Sequence, residues 1–272
     1  MKRAPAAARL RQAHDGPETG VRWRTVFSEI PPHQDAPSTL YYRACEQRLF
    51  TDFIGPLRRK RVMKTDLWDE ARNTRILQWV TNEGGRPYGI DVSAPTAEEA
   101  RNAFRRDGLA PGFTVADVRK IPFRDNSFDV VYSMGTIEHF PETEDAVREI
   151  FRVLRPGGTA IIGVPNKLDP FLRPLLVTIL NWFDAYPYGM EKSYTRRQLT
   201  SMAERAGFRV RDVSSVLFMP GLLRILDLMV HTRWPRMAWI TGLLTRPFAL
   251  LYERSRIARR HGYLIACIAE KQ

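Results

Sequence analysis

Residues 117–166 read DVRKIPFRDNSFDVVYSMGTIEHFPETEDAVREIFRVLRPGGTAIIGVPN, and this stretch decides the fold. Its β-branched and aromatic run at 128–135 predicts a strand. A helix is predicted next, because four apolar residues recur on one helical face: Val147, Ile150, Phe151 and Leu154. The turn at 155–158 has a proline to end the helix and glycines for positive φ, and it leads into a second strand at 158–165.

The same alternation of strands and helices continues on both sides of this stretch. Further strands are predicted at residues 61–64, 87–93, 113–118, 208–216 and 262–270. Further helices are predicted at residues 38–55, 66–80 and 94–106. Strands that alternate with helices of ten or so residues predict an α/β fold with a doubly wound, Rossmann-like parallel sheet.

Charge is distributed unevenly over the 272 residues, which carry a net charge of +12. Most of the excess lies in residues 1–64 and 220–260, and the middle of the chain is nearly neutral. Basic ends indicate an anionic partner such as a membrane, a nucleic acid or an acidic substrate, although a solvated basic face explains them equally well. The two cysteines have no disulfide or metal-ligand spacing, so no metal site is predicted.

The first 37 residues are rich in Pro, Ala, Gly and charge without any sustained period, which predicts a flexible basic leader. Residues 38–272 are then predicted to form one domain. No apolar stretch follows the basic N-terminus, and no run is long enough to span a membrane. A cytoplasmic protein is expected, with peripheral membrane contact as an extension of that hypothesis.

Candidate binding residues follow the predicted strands, because ligands of open parallel sheets bind beyond the carboxyl ends of the strands. Asp91 ends the second strand, where an acid can accept both hydroxyls of a ribose. Asp117 follows the third strand and suits an adenine amino group. Ser133, Met134 and Gly135 end the fourth strand, and His139 comes shortly after them.

Taken together, these segments resemble the class I S-adenosylmethionine (SAM)-dependent methyltransferases of the methyltransferase type 11 family. The resemblance covers most of residues 60–216 in the family's order: YGIDVS, ADVRKIPFRDNSFDVVYSMGTIEHF, REIFRVLRPGGTAIIGVPN and YTRRQLTSMAERAGFRV. It implies a seven-stranded sheet whose last strand is antiparallel. It also implies SAM as cofactor, with Asp91 and Val92 at the ribose, Asp117 and Val118 at the adenine, and 133–135 along the methionine.

One motif departs from the family's pattern. Residues 62–71, VMKTDLWDEA, occupy the position of an acid followed by a glycine-rich turn, yet they contain no glycine. One interpretation is that cofactor binding is lost. The other is replacement, in which Asp66 caps the helix, Asp69 or Glu70 accepts the cofactor's ammonium group, and Lys64 pairs with an acid or with the cofactor's carboxylate. We favour replacement, because every other cofactor position is intact.

Methyl transfer needs mainly proximity and orientation, and a general base helps only if the acceptor loses a proton. His139 is the histidine placed for that role. The alternative is a histidine hydrogen-bonded within its own loop. Glu138 is a candidate for orienting the cofactor or the loop.

The segment 217–261 is predicted to be an apolar and basic helical insertion between the two closing strands. Its residues Leu222–His231 are apolar on a helical wheel except for a narrow stripe of Arg224, Asp227 and His231. Such a helix suits either a membrane interface or a position covering an apolar pocket. The alternative is a helical lid packed on the domain or on a second subunit. Both favour a small hydrophobic substrate.

The predicted function is therefore a SAM-dependent methyltransferase that acts on a small hydrophobic molecule, with an anionic membrane surface as a further partner. The rival hypothesis is a non-catalytic SAM-fold binding or scaffold protein. A nucleic-acid methyltransferase is disfavoured, because the aromatic residues cluster with aliphatic ones rather than along an exposed basic stripe.

Overall fold

The computed structural model describes residues 18–183, 186, 188 and 191–272. The strands are β1 (Arg61–Lys64), β2 (Arg86–Asp91), β3 (Gly112–Val115), β4 (Phe128–Met134), β5 (Leu154–Pro165), β6 (Arg209–Val216) and β7 (Leu264–Glu270). The helices are α1 (Glu18–Glu29), α2 (Pro37–Phe53), α3 (Trp68–Arg72), α4 (Ile76–Asn82), α5 (Ala94–Arg106), α6 (Thr143–Val153), α7 (Arg173–Trp182), α8 (Arg196–Arg205), α9 (Gly221–Arg233) and α10 (Ala238–Arg254).

The seven strands form one sheet in the order β3-β2-β1-β4-β5-β7-β6. The first five strands are parallel to one another, and β7 runs antiparallel to both of its neighbours, β5 and β6. The predicted α/β sheet with an antiparallel last strand is therefore confirmed. Because the order reverses between β1 and β4, the carboxyl ends of these two strands open a crevice for a ligand.

Both faces of the sheet are covered, and successive strand residues alternate between two cores. Val62, Val130 and Ile161 face the core that includes α2, α4 and α5. Their neighbours Met63 and Val131 face the core of α6 and α8. This alternation is what a pleated strand buried on both sides requires.

The predicted helix at 66–80 is two helices instead of one. Arg75 has a left-handed backbone (φ 53°), which separates α3 from α4. The carboxylate of Glu70 accepts the Leu77 N–H at 3.1 Å from both oxygens, so it caps the new helix α4. A carboxylate at a helix N-terminus also complements the helix dipole.

The flexible leader predicted for residues 1–37 is wrong for its second half. Residues Glu18–Glu29 form α1, and the segment after it is anchored to the domain. The His33 N–H donates to the carbonyl of Arg72 at 2.8 Å, and Ala36 is fully buried. Residues 1–17 of the predicted leader lie outside the described part of the chain.

The insertion between β6 and β7 consists mainly of α9 and α10, and its polar stripe faces inward. The Asp227 carboxylate accepts the Ser38 N–H at 2.7 Å, and the Arg224 guanidinium lies 5.5 Å from the ring centre of Tyr42. Helix α2 has no capping side chain of its own, so Asp227 caps it from a distance of 189 residues along the chain. Among the described residues, no helix has both the length and the apolarity that a membrane crossing needs.

Replacing Asp227 with alanine should lower the free energy of unfolding by about 1–2 kcal/mol, because the first turn of α2 loses a buried cap. Asp52→Ala is the matched control, since Asp52 only pairs with Arg48 on the surface and should cost about 0.5 kcal/mol or less. Urea denaturation followed by circular dichroism measures both variants. Equal midpoints for the two variants would show that Asp227 does not anchor the insertion.

Candidate active site

A cavity of about 640 Å³ lies beyond the carboxyl ends of the parallel strands. This volume is within the usual range for small-molecule sites. Eight of the residues predicted for the site line it: Asp66, Asp91, Val92, Asp117, Val118, Met134, Gly135 and His139. Strands β1 to β4 bring them together although they are spread over more than 70 positions of sequence.

The turn after β1 is built around a buried cation. The Lys64 side chain is fully buried, and its Nζ lies 2.9 Å from Asp66 Oδ1 and 3.0 Å from Asp69 Oδ2. Burial alone would lower the pKa of Lys64, but the surrounding carboxyls of Asp66, Asp69, Glu70 and Glu46 raise it above its ordinary value. Lys64 is therefore charged in the folded protein and holds Asp66 and Asp69 at the cavity wall.

This turn does not need glycine. None of the residues 64–71 has a positive φ, so ordinary side chains fit there without strain. The Leu67 N–H is held by Asp91 Oδ2 at 2.9 Å. The leucine side chain fills the space above Gly89 of β2, where an added Cβ would approach it to 2.4 Å. Glycine is therefore required on the neighbouring strand, where it makes room for the Leu67 side chain, and not in the turn.

Three of the predicted cofactor contacts do not face the cavity. Lys64 lies beneath the two acids, so it pairs with them and does not reach a cofactor carboxylate. Glu70 is fully buried and is used as the cap of α4, so of the two alternatives only Asp69 lines the cavity. Ser133 is buried behind the wall, where its Oγ accepts from Thr65 Oγ1 at 2.8 Å. Asp66 does not cap α3, because its carboxylate is bound to Lys64 and Thr136 instead.

Asp91 occupies the centre of the acidic wall. Its second oxygen accepts the Ser93 N–H at 2.7 Å, so both oxygens are fixed by backbone amides. Burial raises its pKa to about 7, although the hydrogen bonds from Leu67 and Ser93 oppose that shift. The side chain is 8 % exposed, which leaves one edge open to the cavity.

Asp117 forms the far end of the acidic wall and carries a partner that the sequence prediction did not include. The Arg119 guanidinium donates to its carboxylate at 2.6 Å and also pairs with Glu142 at 2.7 Å. Burial would raise the pKa of Asp117, but the hydrogen bonds and the positive charge of Arg119 together outweigh it and lower the pKa below its ordinary value. Asp117 is thus an ionised acceptor at the cavity edge.

The other end of the cavity combines an apolar wall with a buried polar cluster. Leu176, Val177 and Leu180 of α7 and Ile225 and Leu228 of α9 line this end of the cavity. The sequence prediction missed the polar cluster, in which the Arg173 guanidinium pairs with both oxygens of Glu191, donates to the Tyr186 hydroxyl and stacks 4.1 Å above the Tyr263 ring.

Glu138 and His139 are neighbouring residues of the cavity lining. Glu138 is 1 % exposed, and His139 Nε2 lies 3.9 Å from its Oε1. The ring of Trp23 in α1 packs edge-on against His139, with ring centres 5.0 Å apart. Helix α1 therefore covers this part of the cavity, which the prediction of a flexible leader did not anticipate.

Replacing Lys64 with methionine should destabilise the fold by about 3–5 kcal/mol, because two buried carboxylates lose their counter-charge. The double variant Lys64→Met with Asp69→Asn should recover part of that loss. The exposed Lys120→Met is the control and should change stability by about 0.5 kcal/mol or less. Denaturant midpoints measure all three variants. A Lys64→Met protein as stable as the control would contradict a charged Lys64.

The fold and the acidic strand ends define a class of protein. A sheet of this order, with acids after β2 and β3 and a crevice between β1 and β4, is that of the class I SAM-dependent methyltransferases. Residues 60–162 match the family model described as methyltransferase domain. The family and the fold imply SAM as the cofactor.

Curated proteins similar to this chain are named as methyltransferases. A "Probable S-adenosylmethionine-dependent methyltransferase" of Mycolicibacterium smegmatis is 31 % identical over 140 residues, which are 52 % of this chain and 50 % of that protein. The chain thus spans about half the length of this relative. A demethylmenaquinone methyltransferase of Thermus thermophilus is 27 % identical over 208 residues, 68 % of this chain and 92 % of that protein. Among solved structures, the [4+2]-cyclase SpnF superposes with a TM-score of 0.60 at 18 % identity and covers 95 % of this chain and 97 % of its own.

Proposed function

We propose that this protein is a SAM-dependent methyltransferase whose acceptor is a small lipophilic molecule. One observation carries the proposal: a single cavity joins the acidic strand ends to an apolar wall formed by α7 and α9. The acidic half suits the polar cofactor, and the apolar half suits the acceptor. The two reactants would meet at Gly135, Glu138 and His139, between the halves.

The residues of the acidic half fit SAM by their chemistry. Asp91 presents a fixed carboxylate for the ribose hydroxyls, and Asp117 with Val118 borders the place of the adenine. Asp66 and Asp69, held by Lys64, present carboxyl oxygens at the wall, which suit the ammonium group of the methionine part. Gly135 has φ +74° and presents only backbone to the cavity, with no side chain to obstruct a ligand.

Bound SAM supplies an activated methyl group, so the chain's own contribution is orientation and the exclusion of water. Lys64 fixes the acids, the amides of Leu67 and Ser93 fix Asp91, and helix α1 covers the cavity beside His139. His139 remains our candidate for a group that assists proton removal from the acceptor. It lines the cavity.

Two observations support the proposal that the acceptor is lipophilic: the residues that line the apolar half of the cavity and the names of similar proteins. Two arginines of the apolar half are engaged, since Arg173 is paired with Glu191, and Arg224 donates to Ser38 and lies against Tyr42. The third, Arg233, is exposed near the end of α9. A neutral apolar acceptor therefore fits this half better than an anionic one. The relative from Thermus thermophilus acts by name on demethylmenaquinone, and relatives matched over shorter stretches are named for sterol and tocopherol.

Replacing Asp91 with alanine should weaken SAM binding by about 1.5–3 kcal/mol, because hydrogen bonds to a charged group are lost. In the wild type, SAM affinity should rise as the pH passes through about 7, since the carboxylate form of Asp91 is the stronger acceptor. Calorimetric titration with SAM measures both effects.

Glu98→Ala, an exposed acid on α5, is the control and should bind SAM like the wild type. A folded Asp91→Ala protein with unchanged SAM affinity would refute the assignment of the acidic wall. If the wild type itself bound neither SAM nor its demethylated product, the rival hypothesis of a non-catalytic scaffold would replace this one.

We further infer that the protein docks on an anionic membrane through α7, α9 and α10. Among the described residues, all exposed large hydrophobic side chains except Leu40 and Val115 lie within 168–183 or 217–261. Trp182, Trp234 and Trp239 are each more than half exposed. An apolar patch of this extent marks an interaction surface.

The excess of exposed arginines on the insertion favours an anionic bilayer as the partner of this surface. Six arginines of the insertion are exposed: Arg233, Arg236, Arg246, Arg254, Arg256 and Arg260. The insertion's two acids are Glu253, which is exposed, and Asp227, which is buried against α2. Exposed tryptophans beside arginines are typical of a helix in a membrane interface.

The wild type should co-sediment with vesicles that contain phosphatidylglycerol, and binding should fall as salt rises. Vesicles of phosphatidylcholine alone should retain much less protein. Changing Arg233, Arg236 and Arg246 to glutamine should weaken binding by up to about 3 kcal/mol, at about 1 kcal/mol for each charge.

Changing three exposed arginines outside the insertion to glutamine removes the same net charge and is the matched control: Arg58, Arg105 and Arg106. This variant should bind vesicles nearly as well as the wild type. If the wild type stays in the supernatant at low salt, the apolar surface is a contact between subunits or a lid, and the membrane hypothesis fails.

A further inference from the structure

The carboxyl of Glu138 is the most unusual polar group of the cavity. It is 1 % exposed, yet among the described residues its Oε2 has no hydrogen-bond partner. Its Oε1 lies 3.8 Å from the place where a Cβ on Gly135 would be, and 3.9 Å from His139 Nε2. Glu138 therefore stands between the cofactor half and the apolar half with one oxygen uncommitted.

Acids and an already paired arginine dominate the electrostatics of Glu138. Glu191 and Asp66 both disfavour a negative charge on Glu138, while Arg173 favours it but is bound to Glu191 through both oxygens. His139 lies on the same 3-10 turn, and Tyr194 faces Glu138 from the segment before α8. The Lys192 N–H donates to the Glu138 carbonyl, but its Nζ donates to the Pro141 carbonyl at 3.1 Å. Among the described residues, no lysine or arginine therefore pairs with the Glu138 carboxyl.

We propose that Glu138 accepts the proton of the methyl acceptor, and that the positive sulfonium centre of the cofactor beside Gly135 is what makes it a carboxylate. This proposal rests on the proposed function. The unpartnered Oε2 then belongs to a neutral carboxylic acid when the cofactor is absent and acts as a base when the cofactor is bound. It assigns His139 to positioning Glu138.

The balance of atoms and charge supports this pairing. The acceptor's hydroxyl proton passes to Glu138 Oε2 as the oxygen–methyl bond forms. The sulfur–methyl bond breaks, and sulfur keeps the electron pair. One sulfonium cation and one carboxylate are consumed, and a neutral thioether and a neutral carboxylic acid are produced. The buried site therefore keeps the same net charge throughout, which avoids an uncompensated charge in an apolar cavity.

The state before cofactor binding is consistent with the same scheme. Burial, reinforced by Glu191, raises the pKa of Glu138 well above its ordinary range, which favours the neutral acid in the free protein. A cation placed beside a carboxyl favours its ionised form. The substrate class follows: a lipophilic molecule with a hydroxyl that can lose a proton, such as a phenol or an enol.

The test needs only binding. SAM and S-adenosylhomocysteine, the demethylated product, are titrated at pH 7 in two buffers with different ionisation enthalpies, which measures the protons released. SAM should release about one proton more than the product. Protons released by groups that contact the parts common to both ligands, including Asp91 at the ribose, contribute equally to both titrations and cancel in the difference.

Three variants identify the source of the proton. Glu138→Gln should abolish the difference, while Asp66→Asn and His139→Gln should retain it. In the wild type the ratio of SAM affinity to product affinity should rise with pH, about tenfold for each pH unit below the folded-state pKa of Glu138, and in Glu138→Gln it should stay flat. Thermal melts followed by circular dichroism establish that each variant is folded.

Equal proton release by the two ligands, or an unchanged difference in Glu138→Gln, would overturn the proposal. Loss of the difference in Asp66→Asn or His139→Gln alone would transfer the role to that residue and overturn it as well. A wild type that binds neither ligand would instead refute the proposed function, so the two failures are distinguishable.

Discussion

The buried ion cluster of Lys64, Asp66 and Asp69 is the interaction on which the cavity depends. A lysine taken fully out of water is costly unless opposite charges surround it, and here two carboxylates lie within 3.0 Å of its Nζ. The cluster connects the end of β1 to α3 through the turn between them. Asp91 completes the arrangement by holding the Leu67 N–H, so the strand ends and the turn are fixed by charge and backbone hydrogen bonds instead of glycine geometry.

The two halves of the cavity are polarised in opposite ways. The acidic wall on β1 to β3 contains one buried cation and more than one acid, whereas α7 and α9 present aliphatic side chains and paired polar groups. The helices of the insertion are correspondingly inverted, with Asp227 and Arg224 facing α2 and large apolar residues facing outward. An ordinary surface helix has the reverse arrangement, which is why this surface calls for a partner.

The strands, the candidate binding residues that follow them and the helical insertion could be predicted from the sequence. Hydrophobic periodicity and turn residues are local signals. The break between α3 and α4 could not, since it depends on a left-handed Arg75 and on Glu70 turning to cap α4. The pairing of Arg173 with Glu191 was also out of reach, because neither residue has a sequence signal and their contact depends on the fold of the intervening segment. Helix α1 was missed because its composition resembles that of a flexible tail, and it is held by tertiary contacts with the cavity.

The position of β7 has a consequence for how the chain is made. This strand lies between β5 and β6, pairing with β5 over residues 159–165 and with β6 over residues 209–216. Until residues 264–270 have left the ribosome, β5 has an open edge and β6 has no neighbour in the sheet. Exposed strand edges are where nascent chains associate wrongly, and these edges stay open until residues 264–270 have been synthesised. The latest strand to emerge is the one that joins the sheet into a single unit.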